Sequence, residues 1–356
     1  MKSSIDVGKL IYRVMPVVAA LICMFYSAEV QSANKKLLII HSYAMDYEWT
    51  VGEDKGIVKA FRDTLMNEWG WSIQRSFLNG KKYQEDPSRL QREIKVIKQE
   101  IEGDKPDAVI LTDDLAFIVF YRFLNALNIP VSFCGVNGYI EDYGYRQGDA
   151  GVTGTLEHNN FPAMAKIIKR ARPSIDRIVY VGDVSKTTDG IVSTIKRDLK
   201  GGKFVNTGID KHEFYKTSSY DELKNYLLGI DSSQTAVVFI SFYTFTDNKD
   251  EHVYYRDVDR WINENTNFID AGIASFHVKN GRMLSLASSA DEIGYYCAQK
   301  LFEAIKRRID PSDMGIREYM PLQLILNRSR ADKIGVQMPY DILSYARDVN
   351  RLMNPK

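Results

Sequence analysis

The segment 41-HSYAMDYEWT-50 places a histidine, two tyrosines, a tryptophan and two acids directly after a short apolar run. The imidazole of His41 can donate to a ligand carboxylate or carbonyl. The Ser42 hydroxyl precedes a predicted helix, whose free N–H groups attract anions. The rings of Tyr43 and Trp49 can form an apolar wall or stack on a ligand ring. The segment is therefore either the wall of a binding site or a solvated loop with incidental aromatics.

Further polar and aromatic residues follow other strand-like runs. Asp113 and Asp114 come directly after 108-AVILT-112, where a carboxylate can bind a ligand amine or hydroxyl. A helix cap would use one of these carboxylates and leave the other available to a ligand. The remaining candidates follow strands or a crossover and could face a cleft: Asn137, Glu157, Asp183, Ser185, Phe242 and Tyr243. Each has an alternative role in a turn, a hinge, a helix cap or the packing of the core.

Alternating strands and helices must position these candidates. Four predicted helix starts carry capping sequences: Thr50 with Glu53, Asp86 with Pro87, Ser219 with Glu222, and Ser289 with Glu292. The run 203-KFVNTGI-209 is predicted as a strand. Nearly continuous apolar strands separated by helices predict an α/β fold of two doubly wound lobes with parallel sheets. Ligands bind beyond the carboxyl ends of the strands in such sheets, so two facing lobes would share one cleft.

The composition and the beginning of the chain bear on its partners and compartment. Lysine and arginine number 47 against 46 aspartates and glutamates, so no nucleic acid or other polyanion is implied as a partner. Lys2, Lys9 and Arg13 precede the apolar run 14-VMPVVAALICMFYSA-28, the layout of a secretory signal peptide over residues 1–33. An uncleaved N-terminal anchor is the main competing interpretation. We expect a mature protein in the periplasm.

Two cysteines remain after such processing. Cys134 lies in a strand-like run and Cys297 on the apolar face of a predicted helix. Both are predicted to be small buried hydrophobes. An oxidising compartment leaves a disulfide between them open.

Several ordered segments resemble the ABC-transporter substrate-binding family of the type I periplasmic-binding fold, in particular a branch with an H-S-Y…Y-x-W-T segment after its first strand. The segments that agree in order are 41-HSY-43 with 47-YEWT-50, 110-ILTDDLAF-117, 131-VSFCGVN-137, 151-GVTGTLE-157, 177-RIVYVGDVS-185, 281-GRMLSLASSADEIGYYCAQKL-301 and 326-LNRSRADKIGVQMP-339. They cover nearly all of the mature chain. Ala44, Met45 and Asp46 depart from the His-Pro-Gly-like turn of many relatives, a departure that bears on the loop shape and hence the ligand.

The resemblance implies a monomer of two α/β lobes that closes over a small solute without a cofactor. Lobe 1 would comprise residues 34–150 and about 280–318, and lobe 2 residues 151–279 and about 319–356. The carboxylates, aromatics and hydroxyls among the candidates suit a solute with an amine and a carboxylate. The expected ligand is an amino acid or a close derivative, and the expected partner is an ABC permease.

Two other functions compete with transport. Similar domains form the sensor halves of some bacterial membrane histidine kinases and diguanylate cyclases, so the chain could report a ligand to such a membrane protein. A hydrolase or other enzyme is the remote alternative, because the sequence contains no G-x-S-x-G, H-E-x-x-H, P-loop, G-x-G-x-x-G or C-x-x-C motif. His41, Asp113 and Asp114 would form a metal or acid–base site only if the fold brought them together.

Overall fold

A computed structural model describes residues 35–65, 70–83, 86–319 and 322–349. The predicted signal peptide, residues 1–33, lies outside this part of the chain. Among the described residues, no helix has the length and apolar character that crossing a bilayer requires.

Lobe 1 is built on a six-stranded sheet in which every neighbouring pair is parallel. Its strands are β1 (Lys35–His41), β2 (Trp71–Phe77), β3 (Ala108–Thr112), β4 (Val131–Val136), β5 (Val152–Leu156) and β11 (Ile316–Glu318). Its helices are α1 (Glu48–Leu65), α2 (Pro87–Gly103), α3 (Asp113–Ala126) and α9 (Ala290–Arg307), and a 3-10 helix spans Pro311–Met314. The strand order is β11-β5-β4-β3-β1-β2. The central strands β3 and β4 are buried along their whole length, as their continuous apolar sequences predict.

Lobe 2 is built on a seven-stranded sheet. Its strands are β6 (Arg177–Gly182), β7 (Lys211–Lys216), β8 (Thr235–Ser241), β9 (Ile269–Ala274), β10 (Leu284–Ser288), β12 (Gln323–Asn327) and β13 (Arg347–Val349). Its helices are α4 (Phe161–Ala171), α5 (Lys186–Lys200), α6 (Tyr220–Leu228), α7 (Tyr255–Asn265), α8 (Ser275–Lys279), α10 (Arg328–Lys333) and α11 (Tyr340–Tyr345). The strand order is β13-β12-β10-β9-β8-β6-β7. The pair β10–β12 is antiparallel, so this sheet is mixed rather than wholly parallel.

The two sheets place the lobe boundaries slightly later than the division expected from the sequence. Strand β5, which follows residue 151, pairs with β4 in lobe 1. Strand β10 pairs with β9 in lobe 2, and the chain returns to lobe 1 only with α9. The carboxyl ends of the central strands of both lobes meet at the interface between the lobes, as the predicted architecture requires.

Three of the four predicted helix caps are confirmed. The side chains of Asp86, Ser219 and Ser289 accept hydrogen bonds from backbone N–H groups in the first turns of α2, α6 and α9. The prediction for Thr50 is wrong, because α1 begins at Glu48 and Thr50 lies within it. An earlier start turns Glu53 inward from the second turn of α1, where it is fully buried.

The strand predicted at 203-KFVNTGI-209 is also wrong. These residues form turns between α5 and β7, and the strand follows at Lys211–Lys216. The apolar side chains of Phe204 and Ile209 are buried, so they anchor a loop to the core rather than line a strand. The run 271-AGIASFHV-278 likewise has an apolar pattern that predicts one strand, but its second half is the short helix α8.

Helices α1 and α9 are in direct backbone contact. A Cβ at Gly56 would lie 1.9 Å from the carbonyl oxygen of Asp291, and one at Gly294 would lie 2.2 Å from that of Glu53. Real Cβ atoms do not approach so closely, so glycine is required at both positions for this crossing. Because the Glu53 carbonyl takes part in this contact, the crossing fixes the position of the Glu53 backbone.

A disulfide joins Cys134 of β4 to Cys297 of α9. Both cysteines are buried, as predicted, and the pairing that the sequence left open is made. The Ser132 hydroxyl donates to the Cys297 carbonyl at 2.7 Å, so the same two elements are also joined by a hydrogen bond. The cross-link closes a separation of 163 residues along the chain and ties the late helix to the first lobe.

Replacing Gly294 with alanine should destabilise the protein by about 1–3 kcal/mol, because the added methyl group overpacks a backbone contact. The matched control is Gly103→Ala at the end of α2, where a Cβ would meet nothing within 4 Å. That variant should be neutral or more stable by up to about 1 kcal/mol. Urea unfolding of both variants gives the comparison. Equal stabilities would contradict the close crossing of α1 and α9.

Reduction of the disulfide should lower the free energy of unfolding by about 2–5 kcal/mol, because the unfolded chain then gains the freedom of a very long loop. Urea unfolding of the wild type with and without a reductant measures this loss. The variant with both Cys134→Ala and Cys297→Ala is the control, since its stability should not respond to the reductant. If the reductant left the free energy of unfolding of the wild type unchanged, the disulfide would contribute nothing to stability.

Candidate ligand-binding site

A small cavity lies between the lobes at the carboxyl ends of their strands. Its volume is about 30 Å³, room for about one or two water molecules. Both lobes line it, with aromatic, acidic and hydroxyl side chains: Tyr43, Tyr47, Trp49, Lys81, Asp113, Asn137, Glu157, Thr187, Ile240, Ser241, Tyr243, Ile273 and Ala274. The lobes are therefore closed around a polar centre.

Three tyrosine rings surround one ammonium group at this centre. The Nζ atom of Lys81 lies 3.9 Å from the ring centroid of Tyr43, 4.2 Å from that of Tyr47 and 3.6 Å from that of Tyr243. We call these three rings the tyrosine cage. Tyr43 and Tyr47 belong to lobe 1 and Tyr243 to lobe 2, so the ammonium group bridges the lobes. Cation–π attraction of this kind strengthens where water is excluded.

The loop after β2 carries Lys81 into the cleft. The Leu78 N–H donates to the His41 carbonyl at 2.9 Å, and the Gly80 N–H donates to the Ser42 carbonyl at 2.8 Å. A Cβ at Gly80 would lie 2.2 Å from the end of the Leu115 side chain and 3.0 Å from the Ser42 carbonyl oxygen, so a larger residue would require Leu115 to move. Burial lowers the pKa of Lys81 to about 8, although Asp183, Asp113, Glu53 and Glu157 favour its charged form.

Three buried acids lie in or next to this cavity, since Asp113 and Glu157 line it and Glu53 adjoins Asp113. Burial raises the pKa of Glu53, Asp113 and Glu157, and the charge of Asp113 adds to this for both glutamates. Thr112 and Trp49 are near enough to favour the charged Glu53 weakly, but no donor reaches hydrogen-bonding geometry with either of its carboxylate oxygens. The three acids share one nearby cation, the Lys81 ammonium group, in this part of the described chain.

Asp113 and Asp114 have different surroundings. Asp113 lines the cavity in a left-handed backbone conformation, with φ of 61°. Asp114 instead accepts hydrogen bonds from the Gly138 N–H at 2.9 Å, the Tyr143 hydroxyl at 2.9 Å and the Asn137 N–H at 3.2 Å. Asp114 therefore holds the loop after β4 in place, and Asp113 is the carboxylate left to the cleft.

The two polar atoms of the Asn137 side-chain amide differ in their hydrogen bonding. Its amide nitrogen donates to the Gly135 carbonyl at 3.0 Å and lies 3.5 Å from Glu157. Its buried amide oxygen has no hydrogen-bond partner among the described residues. Together with Glu53, this oxygen leaves the cleft with unpaired acceptors, which call for a hydrogen-bond donor.

His41 and Ser42 lie at the end of β1 but outside the cavity. The His41 ring stacks on Phe77, and its Nδ1 lies 3.2 Å from the Thr112 hydroxyl and its Nε2 3.5 Å from Asp54. Ser42 donates to the Thr112 carbonyl at 2.5 Å and accepts from the Ala116 N–H at 2.8 Å. Ser42 thus caps α3 from a neighbouring strand. Its hydroxyl is already hydrogen-bonded to protein groups, which leaves it poorly placed for the predicted contact with a ligand anion.

In lobe 2, Asp183 and Ser185 organise backbone. Asp183 accepts from the Thr188 hydroxyl at 2.8 Å, the Tyr243 N–H at 2.7 Å and the Ser185 hydroxyl at 2.6 Å. Ser185 caps α5 by accepting from the Thr188 N–H at 3.1 Å. Phe242 is fully buried and stacks behind Tyr243. These residues support Tyr243 from below rather than line the cavity.

A buried histidine fixes the ring of Tyr243. The Nδ1 atom of His277 accepts from the Ile273 N–H at 3.1 Å, so the proton of the neutral ring lies on Nε2. Nε2 then donates to the Tyr243 hydroxyl at 2.6 Å. Burial, with Arg282 and Lys81 nearby, lowers the pKa of His277 well below its usual value and keeps the ring neutral. Tyr243 is thereby held at one position and orientation.

Hydrogen bonds between the lobes hold the cleft closed. The Tyr43 hydroxyl bonds to the Thr187 hydroxyl, and the Thr194 hydroxyl donates to the Asn137 carbonyl at 3.0 Å. The Arg197 guanidinium covers the ring of Tyr139 at 3.2 Å and pairs with Asp142 at 3.2 Å. All of these join α5 of lobe 2 to loops of lobe 1.

Of the twelve predicted site residues, six line the cavity: Tyr43, Trp49, Asp113, Asn137, Glu157 and Tyr243. Contact of any of them with a ligand stays a prediction. Sequence reasoning missed Lys81, Glu53 and Thr187 and gave little weight to Tyr47. Glu53 was assigned to a helix cap, and Lys81 lies in a polar loop whose sequence carries no recognisable pattern. Among the described residues, no group of three His, Cys, Asp or Glu side chains has metal-binding geometry.

Comparisons with known proteins rest on structure alone. No family model matches the sequence, and no curated protein is similar to it at a significant level. An ABC domain from Streptococcus pneumonia in complex with L-Trp superposes with a TM-score of 0.65 at 15% identity, covering 88% of this chain and 99% of that one. CD0873, a substrate binding protein with adhesive properties from Clostridium difficile, in its ligand-free, open form, gives 0.61 at 14% identity, with coverage of 88% and 99%.

A third structure, a putative LacI transcriptional regulator from Bacteroides fragilis, gives a TM-score of 0.58 at 13% identity, with coverage of 84% of this chain and 99% of that chain. These identities are too low to carry a ligand or a partner across. The matched length of both lobes, the two sheets and the cleft between them show that this chain has the type I periplasmic-binding fold.

Proposed function

We propose that this chain is an extracytoplasmic solute-binding protein that captures a small amine between its lobes and delivers it to an ABC permease. An amino acid or a close derivative is the first ligand class to test. The observation that carries the proposal is the set of unpaired acceptors beside the tyrosine cage. Among the described residues, no donor reaches the Asn137 amide oxygen, whose residue lines the cavity, or the buried Glu53 carboxylate next to Asp113, and aromatic faces enclose the cavity.

An ammonium group satisfies each of these features at once. It donates up to three hydrogen bonds, its charge offsets that of nearby carboxylates, and it is attracted to ring faces. A sugar brings donors but no charge, and would leave several carboxylates buried without a cation. The structural neighbour that holds L-Trp shows that this fold can enclose an amine-bearing aromatic molecule.

Reporting a ligand to a membrane histidine kinase or diguanylate cyclase is the second candidate. The structural similarity to a putative LacI transcriptional regulator supports it, since that protein is named as a regulator rather than as a transporter. Both functions need ligand to stabilise the closed pair of lobes. They differ in the partner that recognises the closed surface. A pull-down with the purified closed protein from membranes would separate a permease from a sensor.

Catalysis has little support in the geometry. His41 faces Thr112 and Asp54 rather than the cavity, so it does not join Asp113 in an acid–base pair. Asp114 is engaged by three protein donors. Two of the structural neighbours are named as a substrate binding protein and a putative transcriptional regulator. We therefore favour binding without turnover.

A thermal-shift screen tests the proposal directly. Amino acids, small peptides and polyamines should include a compound that raises the midpoint, whereas sugars and nucleosides should not. Binding to the folded state alone adds about 2.7 kcal/mol at a hundredfold excess over the dissociation constant. A shift with sugars only, or no shift with any class after co-purified ligand is removed, would contradict the proposal.

The variant Glu53→Gln extends that test to the site. Loss of a charged acceptor should weaken binding of the amine found in the screen by about 10- to 100-fold, the range expected for a charge-assisted hydrogen bond. Glu100→Gln removes the same charge from an exposed position of α2 and should leave the affinity unchanged. Calorimetry of both variants decides. Equal affinities would place the amine elsewhere.

The affinity for an amine should rise with pH between about pH 5 and pH 7.5. Burial raises the pKa of Glu53, Asp113, Asp114 and Glu157, so the ligand-free cleft holds extra protons in this range. A bound ammonium favours the charged carboxylates, and binding therefore releases protons. Lys81 stays charged over most of this window, since its pKa is about 8.

Calorimetric titrations in buffers of different ionisation enthalpy count the protons released on binding. We expect net release below neutrality. Net uptake, or an affinity independent of pH, would show that the raised carboxylates do not face the ligand.

A further inference from the structure

Lys81 has the position that the proposed ligand's amine would need. Its ammonium group lies within 4.2 Å of the centroids of all three rings of the tyrosine cage. The charges of Asp183, Asp113, Glu53 and Glu157 nearby favour the charged form of Lys81 and so raise its pKa. The remaining space of about 30 Å³ cannot hold a second ammonium group with its substituents. A ligand amine and the Lys81 ammonium therefore cannot occupy the cage together.

On the basis of the proposed function, we propose that Lys81 is a built-in competitor of the ligand, whose amine displaces the Lys81 ammonium from the tyrosine cage. The ligand class is then a small organic cation. Without ligand, Lys81 is then expected to help keep the lobes closed by bridging Tyr43 and Tyr47 of lobe 1 to Tyr243 of lobe 2.

The opposite role for Lys81 is an anchor for a ligand carboxylate. The surroundings oppose it, because ring faces and acids enclose the ammonium group. An incoming carboxylate would meet the negative faces of the rings and the buried acids Asp113 and Glu157, which line the cavity. Other groups that might bind an anion are engaged, since Ser42 already caps α3. The balance of charge in the cleft therefore favours a cation.

The loop that carries Lys81 is fixed to β1 at its beginning, and its next residue lies at the protein surface, so the Lys81 side chain can leave the cage toward solvent. Backbone hydrogen bonds hold Leu78 and Gly80 to the end of β1, while Lys82, the next residue after Lys81, is exposed. Lys81 itself is partly buried, so its long side chain reaches the cage from the rim of the cleft. Rotation of this side chain alone can empty the cage without unfolding the loop.

Small-angle scattering of the ligand-free protein tests the bridge without any ligand. The wild type should be compact, and Lys81→Ala should have a larger radius of gyration because the lobes lose their bridge. Lys82→Ala is the matched control and should scatter like the wild type. Lys81→Arg, which keeps a cation on the same loop, should also stay compact. Equal radii for wild type and Lys81→Ala would overturn the proposal whether or not a ligand is ever found.

Binding of a matched pair of probes tests the competition. 2-Phenylethylamine carries an amine, and 3-phenylpropionate, of similar size, carries a carboxylate. Lys81→Ala should bind 2-phenylethylamine about tenfold more tightly than the wild type if Lys81 fills the cage nine-tenths of the time. Lys82→Ala should not change this affinity, which controls for the loss of a distant charge.

Three results would overturn the competitor role. Weaker binding of 3-phenylpropionate to Lys81→Ala than to the wild type would show an anchor for carboxylates. Unchanged or weaker binding of 2-phenylethylamine would show that the cage is not the amine site. Tighter binding without any change in the ligand-free radius would assign Lys81 a purely electrostatic effect. The first two would leave solute binding itself intact, so the two proposals fail separately.

Discussion

The removal of carboxylates from water is the constraint on which the closed structure depends. The carboxylates of Glu53, Asp113, Asp114, Glu157 and Asp183 are all buried in the closed structure, and those of Asp113 and Glu157 line the cavity. Burying an ion costs several kcal/mol even after the protein relaxes, unless partners compensate. Asp114 and Asp183 are compensated by protein donors. Glu53, Asp113 and Glu157 instead have raised pKa values and share the Lys81 ammonium group as a nearby cation, so a cation at the centre favours closure.

The rigid parts of each lobe make this constraint effective. In lobe 1, the glycine contacts between α1 and α9 and the disulfide from α9 to β4 prevent Glu53 from moving away from Asp113. In lobe 2, Arg282 is buried against Phe239 and pairs with Asp259 at 2.6 Å, beneath Phe242 and the ring of Tyr243. Side chains held this firmly cannot rearrange to satisfy one another. The mismatch of charge must be met by a mobile group, either Lys81 or a ligand.

The sequence predicts the scaffold far better than the centre. Caps at Ser219 and Ser289 and the buried strand β3 follow from local chemistry that a single segment contains. The error at 203-KFVNTGI-209 arose because buried apolar residues in a loop imitate a strand. Lys81 could not be found, since its role depends on rings far away in the sequence and in the other lobe. The sequence placed Asp113 correctly at a strand end, but it could not show that the Asp114 carboxylate would accept hydrogen bonds from Asn137, Gly138 and Tyr143.

A built-in competitor changes what a partner must recognise. If ligand alone closed the lobes, a permease or sensor could respond simply to closure. If Lys81 bridges the lobes as proposed, the protein is closed both with and without ligand, and closure by itself carries no information. The difference then lies at the rim of the cleft, where a displaced Lys81 side chain joins the exposed Lys82 on the surface of lobe 1. Occupancy of the cage would thus be reported as a local change in positive charge, which a partner with an acidic surface facing that rim can distinguish.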